Sequence, residues 1–310
     1  MRDPYRIDGP AVLSVSGGRS SMMMLSRILD AHGGRLPADV HALYTNTGRE
    51  RAETLRFVAD CAERWGVAIA WAERDGSQPS GARFREVEYE TASREGEPFA
   101  ELITERRYLP NAVARFCTVA LKIEVMRDWM RAQGHDRWTN VVGLRRDEPA
   151  RVAKLRARDH GQWDVAAPLY DARVTSADVA AFWKAQPFDL ALRPWEGNCD
   201  GCFLKSRSRR ERIFRDRPDL AAWWIAQEAA VGGRFHAHEP GYAATLDRVR
   251  RLPMLALDLD ASADDGTPAC GCTDRRPTRA RWCICGSRKP PGRQHTLACQ
   301  FARADAARAA

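Results

Sequence analysis

Apolar runs that stop abruptly on glycine and hydroxyl residues set the pattern of the first half of the chain. Residues 11–16 (AVLSVS) read as a buried strand, and Ser16-Gly17-Gly18-Arg19-Ser20-Ser21 ends it. A helix is predicted over 20–30, with Met23, Met24 and Leu25 among its apolar positions. A second apolar run, VHALYT at 40–45, ends at Asn46-Thr47-Gly48. Over 50–65, Leu55, Val58, Ala62 and Trp65 fall at i, i+3, i+7 and i+10, which predicts a helix with one buried face. Residues 67–72 (VAIAWA) read as a third strand. The segment 76–114 is polar and poorly periodic, and reads as a long excursion. Periodicity returns over 118–132, where Leu121, Val125 and Trp129 are spaced by four, and 139–144 (TNVVGL) reads as another strand. Thr175 with Asp178 has the form of an N-cap and its acidic partner, opening a helix through Trp183. Two more helices are predicted at 207–216 and 219–230, the second carrying Trp223 and Trp224. Strands alternating with helices predict an α/β fold with a parallel sheet covered on both faces.

Beyond about residue 258 the pattern is lost, and Gly, Pro, Arg and Cys dominate. The expected organisation is an α/β domain at 1–195, a helical region at 196–257 and a Cys/Arg-rich tail at 258–310. The tail is either a small metal-stapled appendage or a disordered basic segment. No internal repeat is evident.

Composition narrows the picture a little. Of 310 residues 44% are hydrophobic, enough for a sizeable core. No run of about 18 apolar residues is present, so no membrane span is expected. The first ten residues, MRDPYRIDGP, lack an apolar signal core, so a cytoplasmic protein is expected. The net charge of +8, carried mostly by arginine, suits nucleotides or nucleic acid, with a solvated arginine-rich surface as the plain alternative. Nine cysteines, an odd number gathered in clusters, favour metal or redox chemistry over a disulfide framework.

The stretch 16–21 is the first candidate for chemistry. Glycines let the backbone turn tightly and approach a ligand, and a helix start offers free N–H groups and the positive end of its dipole. Hydroxyls and Arg19 can add donors to phosphate oxygens. The Walker pattern is absent, and taken alone the stretch reads first as an ordinary turn.

It does not stand alone. The loop, together with TNTGRE (45–50), RFCTVALKIE (115–124), VGLRRDEPAR (142–151), APLYDARVTSADVAAF (167–182) and GNCDGCFLKS (197–206), resembles in order the phosphoadenosine phosphosulfate (PAPS) reductase family. That family lies within the ATP-pyrophosphatase, or adenine nucleotide alpha-hydrolase-like, superfamily. The resemblance implies a Rossmann-like sheet at 1–195 that binds an adenine nucleotide, ATP or PAPS, with Mg2+ as a candidate companion ion. It implies that Ser16, Gly17, Gly18, Arg19, Ser20 and Ser21 hold phosphates and that Asn46, Thr47 and Gly48 shape the rim. It also brings Arg115, Lys122, Arg145 and Arg151 to the nucleotide's phosphates or a sulfate, with Gly143 in the same binding set; plain surface charge is the alternative for each of these cations. Arg145 is the favoured catalytic arginine because it follows a strand where ligands of parallel sheets collect. Two departures stand out: Ser20 occupies the position of the family's aspartate, and the reductases' E-C-G-x-H tail run is absent.

Cys117, Cys199 and Cys202 form the second candidate. Three thiolates suit a [4Fe-4S] cluster with one open iron, as in the superfamily's tRNA-thiolating enzymes; a zinc site and plain reduced thiols are the alternatives. KSRSRRERIFRDR (205–217) follows directly, and Arg209, Arg212 and Arg215 can share one helix face. That face is either a phosphate-tracking stripe for DNA or tRNA or an exposed helix pairing with Glu211 and Asp216. In the tail, Cys270, Cys272, Cys283, Cys285, His295 and Cys299 form a candidate Zn2+ site. Trp129, Trp183, Trp223 and Trp224 read as packing residues, and His236 and His238 as loop residues.

Three accounts follow. The preferred one is an iron–sulfur enzyme of ATP-dependent sulfur transfer, with Cys117, Cys199, Cys202 and Arg145 as its catalytic set and a sulfur donor protein as partner. The second is reduction of PAPS to sulfite, with an electron donor protein. The third is a non-catalytic nucleic-acid-binding accessory protein of the same fold.

Overall fold

Strand β1 (Ala11–Val15) carries almost nothing that prefers water, and four of its five residues are buried. Leu13 and Val15 enter a core on one face of the sheet, and Val12 enters another on the opposite face. This follows from the two-residue period of a strand covered on both sides. The structure, a computed structural model, describes residues 3–252. The candidate zinc ligands of the tail and the tail's own organisation lie outside those residues.

After β1 the chain runs α1 (Arg19–Ala31), β2 (Val40–Asn46), α2 (Ala52–Trp65), β3 (Ile69–Arg74), β4 (Phe84–Val87), α3 (Glu97–Arg106) and α4 (Phe116–Thr118). A π-helical turn, Val119–Ile123, joins α4 to α5 (Glu124–Ala132). Then come β5 (Trp138–Val142), α6 (Pro149–Arg156), β6 (Trp163–Ala166), α7 (Pro168–Asp171) and α8 (Ser176–Lys184). The helices α9 (Arg207–Asp216), α10 (Ala221–Val231) and α11 (Tyr242–Arg251) close the described chain.

The sheet order is β4-β3-β2-β1-β5-β6. Every neighbouring pair is parallel except β3 with β4, which is antiparallel. The chain winds outward from β1 to β3 and later returns to the other side of β1 through β5. The switch point of this α/β, Rossmann-like sheet therefore lies between β1 and β5, where ligands of such sheets collect beyond the strand ends.

Helix packing follows from side-chain spacing. Helix α1 buries Met22, Met23, Met24, Leu25, Ile28 and Leu29, and α2 buries Leu55, Phe57, Val58 and Cys61 on the same face. On the other face α5 sets Val125, Met126, Trp129 and Met130 against Val12, Leu43 and Trp138. Each large apolar side chain so buried contributes about 1.5–3 kcal/mol. The expected capping box is present: Thr175 and Asp178 bond reciprocally at the start of α8. A separate cluster joins Phe99, Leu102 and Leu121 to Phe214, Trp224 and Tyr242, so α3 and the π turn pack with the C-terminal helices. Trp129, Trp183 and Trp224 are buried, and Trp223 packs against that second cluster.

The segment 76–114 differs from the open excursion expected of it. It supplies the antiparallel edge strand β4 and the helix α3, with Phe99, Leu102 and Ile103 buried. Strand β4 has no buried residue, because it sits at the sheet edge, so no apolar alternation marked it. The helix expected over 118–132 is present, but 119–123 winds as a π turn.

Candidate active site

The loop after β1 is set by two glycines. Gly17 has φ +72, and a Cβ there would lie 2.4 Å from Thr54 Cγ2, so only glycine fits. Gly18 caps α1 with extended backbone. Behind the loop, Ser21 Oγ lies 3.0 Å from Ser16 Oγ, accepts from the Ser16 N–H at 3.1 Å, and donates to the Gly18 carbonyl at 2.9 Å. Ser21 is thus spent on holding the turn, and the first N–H groups of α1 have no partner within the helix, as at any helix start.

Strand β5 delivers the facing wall. A Cβ on Gly143 would stand 2.8 Å from Ser21 Cα, so this glycine permits the strand end to press on the loop. Two residues on, Arg145 Nη1 donates to Ser20 Oγ at 2.8 Å, while its Nε pairs with Asp147 at 3.0 Å and its Nη2 with Glu148 at 3.3 Å. Ser20 and Arg145 therefore meet at the switch point. Hydrogen bonds from Ser176 and Arg145 outweigh burial and hold the Asp147 carboxyl below its usual range. Arg19 is placed differently from the expectation. Its guanidinium is held by Asp189 through Nε at 2.6 Å and Nη2 at 2.5 Å, so it anchors the loop instead of facing a phosphate.

The rim after β2 is built from inside. Asn46 is fully buried, donates to Glu73 at 2.6 Å and to the Ser93 carbonyl at 2.8 Å, and accepts from the Gly48 N–H at 3.1 Å. Thr47 donates through both N–H and Oγ1 to Glu50. Asn46, Thr47 and Gly48 thus shape the rim with their polar atoms used within it. Lys122, on the π turn, reaches Glu50 at 3.2 Å. Between β1, β2 and that turn opens a cavity of about 110 Å³, walled by Val15, Ile123 and Met126 with Ser16, Thr45 and Lys122 among its polar lining. π turns inside helices are frequent at functional sites, and this one aims Lys122 into the cavity lining.

The cysteine loop is sewn to the same rim. Glu50 and Cys199 form an antiparallel β-bridge, the Arg51 N–H donates to the Asn198 carbonyl at 2.7 Å, and the Asp200 N–H to the Arg49 carbonyl at 3.1 Å. The Asn198 side chain donates to the Ser16 carbonyl. Arg49 pairs with buried Asp200, which also accepts from Trp224 Nε1 at 2.7 Å. Burial raises the Asp200 carboxyl despite Arg49 beside it. Lys205 Nζ donates to the Cys199 carbonyl.

Cys199 and Cys202 are hydrogen-bonded through their side chains, which, with burial, raises the Cys199 thiol well above its usual range. Burial, and after it the nearby Cys202, push the Cys117 thiol up to about 11. The three sequence-predicted cysteines are thus electrostatic neighbours, with Arg115 and Lys122 acting on Cys117 and Lys205 on Cys199. Arg115 Nε is buried without a hydrogen-bond partner among the described residues. Among the described residues no three His, Cys, Asp or Glu side chains converge as they would on one metal ion. The donor chemistry nonetheless fits an iron–sulfur cluster. Three soft sulfurs lie within reach of cations, and each thiolate of a cluster takes its own iron, so the sulfurs need not converge on a point.

Sequence reasoning did not single out Glu50, Asn198, Asp189 or Lys205. Glu50 and Asn198 lay inside quoted motifs, and only the fold reveals that they join the rim to the cysteine loop.

With the site in view, comparison with known proteins places the chain. The family model for the phosphoadenosine phosphosulfate reductase domain matches residues 10–187. The chain belongs to that family. This PAPS reductase-family chain is also 31% identical over 254 residues to a protein of Escherichia phage lambda described as the uncharacterized nin region protein ORF290, covering 80% of this chain and 82% of the relative. Among solved structures it is similar to a phosphoadenylyl-sulfate reductase from Candida auris in a phosphate complex, at 15% identity and TM-score 0.38, over 57% of this chain and 72% of that one. It is also similar to the U34-tRNA thiolase NcsA from Methanococcus maripaludis with its [4Fe-4S] cluster, at 12% identity and TM-score 0.39, over 78% and 73%.

The basic stripe on α9 is partly engaged. The Arg212 guanidinium carbon lies 3.5 Å from the centre of the Trp195 ring, and Arg215 pairs with Asp216 at 3.5 Å. Glu211 is taken by Arg207 at 2.8 Å and Arg248 at 3.0 Å. His236 and His238 lie in the turns between α10 and α11. Among the described residues no helix is long and apolar enough to cross a membrane.

Proposed function

We propose that this chain is an enzyme that binds an adenine nucleotide at the Ser16–Ser21 loop and performs sulfur chemistry at the adjoining cysteines, with ATP-dependent sulfur transfer as its reaction. The observation that carries this reading is the seam between rim and cysteine loop: the Glu50–Cys199 bridge and the Asn198 bond to Ser16. A phosphate loop stitched to a cysteine loop suits a reaction in which nucleotide activation and sulfur delivery share one acceptor atom.

In the proposed reaction a carbonyl oxygen of the acceptor attacks the α-phosphorus of ATP, and pyrophosphate leaves. A sulfide-level nucleophile then forms the new C–S bond, and AMP departs with the electrons of the broken C–O bond. The N–H groups at the head of α1, with Arg145 and Lys122, stabilise charge on the departing phosphates. Mg2+ would accompany the pyrophosphate oxygens. The cavity by Val15, Ile123 and Met126 would take the flat base. Cys117, Cys199 and Cys202 would hold a [4Fe-4S] cluster, which supplies an open iron able to carry sulfide. A nucleic-acid base is the favoured acceptor, because α9, which carries the basic stripe of Arg209, Arg212 and Arg215, directly follows the cysteine loop. A sulfur donor protein would complete the cycle.

Family membership supports a second reading, reduction of PAPS to sulfite and adenosine bisphosphate by a thiol supplied by an electron donor protein. One paired assay separates the two. The anaerobic holoprotein is given ATP, sulfide and transfer RNA, and AMP with pyrophosphate is measured; in parallel it is given PAPS and a dithiol, and sulfite is measured. The expected result is RNA-dependent AMP and no sulfite. Catalytic sulfite formation overturns sulfur transfer, and binding of RNA without binding of either nucleotide assigns the accessory role instead.

A further inference from the structure

Two histidines at the opposite end of the sheet stand apart from the sulfur chemistry. His41 is the second residue of β2, while Asn46 of the rim is its last. Five residue steps along the strand separate them by about 16 Å. His135 lies in the turn after α5, its N–H bonded to the Met130 carbonyl at 3.2 Å. The two Nε2 atoms face each other at 3.2 Å.

That spacing suits a hydrogen bond between the rings, and it is also the spacing at which one metal ion would hold both. Two imidazole nitrogens each about 2.0–2.1 Å from a Zn2+ ion lie about 3.3 Å apart at a tetrahedral angle, and about 2.9 Å apart at a right angle. The observed separation falls between these limits. The His41 ring is also held in place. Trp129 packs edge-on against it at 5.4 Å and 79°, and Trp129 is itself buried and fixed through Nε1 to Glu86 at 2.7 Å. Both histidines are partly exposed, and a cavity of about 420 Å³ lined by His41, Arg35, Gln133 and Trp129 opens beside His41. An ion and its waters have room to enter.

We propose that His41 and His135 form a two-histidine site for a divalent transition-metal ion of the Zn2+ or Ni2+ class, clipping β2 to the end of α5. Among the described residues no third His, Cys, Asp or Glu is placed to join them, so water fills the remaining positions. Imidazole ligands suit this class of ion, and carboxylate-seeking Mg2+ and Ca2+ are not expected to bind. This site is independent of the nucleotide and cysteine chemistry.

The test uses the full reduced chain and Zn2+ alone. Crystals soaked in dilute Zn2+ are expected to show anomalous density within bonding distance of both Nε2 atoms. In equilibrium dialysis His135→Ala and His41→Gln are each expected to retain one zinc fewer than wild type, with ATP binding unchanged. Equal zinc in wild type and both variants overturns the site, leaving the pair a plain N–H···N hydrogen bond. Density at the cysteines but none between the histidines overturns it as well, as does density that appears only at crystal-soak concentrations with no difference in dialysis.

Discussion

At the scale of single residues, the site depends on positions where one side chain is permitted. Gly17 combines a left-handed backbone with a Thr54 methyl 2.4 Å from where a Cβ would sit. Gly66 is equally left-handed, at φ +58, but faces open space. Gly66→Ala is therefore expected to cost about 1 kcal/mol, and Gly17→Ala about 2–3 kcal/mol with loss of nucleotide binding, read from urea unfolding and equilibrium dialysis. Equal costs would remove the packing argument. Asp189 offers a pH test. Burial raises its carboxyl, but the Arg19 hydrogen bonds prevail and hold it below the usual range. A depressed carboxylate stabilises the fold above its unfolded pKa, and that stabilisation is lost as pH falls through the folded value. Asp189→Asn should thus lower stability near neutral pH by roughly 0.5 kcal/mol, discounted for solvent screening. The gap to wild type should close below about pH 4. A gap that persists in acid would contradict the ion pair. The two glycines were legible because strand, glycine pair and helix lie together in sequence. Asp189 and Asn198 were not, because they meet the loop from 170 and 182 residues away.

At the scale of elements, periodicity revealed most of the helices and strands that bury a face. It missed β4, whose four residues have no buried member, and also α3 and α11, although Phe99, Leu102 and Ile103 are buried on the first and Leu246 and Val249 on the second. The Leu121, Val125 and Trp129 spacing predicted a regular helix, and all three are buried. Spacing by four cannot distinguish an α turn from the π turn that wedges in just before α5. Nor does it show how the cysteine loop is fastened. That fastening turns on Asp200, a buried carboxylate held by Arg49 and Trp224. Removing one partner of a buried pair leaves an uncompensated charge, so Arg49→Met is expected to cost about 3–5 kcal/mol. Adding Asp200→Asn should recover much of the loss, because the stranded charge is then gone. A double variant no more stable than Arg49→Met in urea unfolding would show that Arg49 acts through packing on Trp223, over whose ring it lies at 5.1 Å.

At the scale of the whole molecule, the order of strands places the chemistry. The return from β3 to β5 across β1 creates the switch point, and the loop, Gly143 and Arg145 gather there. The cysteine loop reaches the same point from the C-terminal helices through the rim of β2. The alternation of strands and helices made the parallel sheet legible, and the ordered motifs made its site legible. The joining of the two loops was not, because backbone bridges between distant segments leave no local pattern. The central claim is that the nucleotide loop and three cysteines form one iron–sulfur site. It is tested most directly by the absorption spectrum and iron count of the anaerobically purified chain, before and after ATP. The account predicts about four irons per chain, lost in Cys117→Ala, with a spectrum that changes when ATP binds. Zinc or no metal at those cysteines, or a cluster whose spectrum ignores a bound nucleotide, would contradict it.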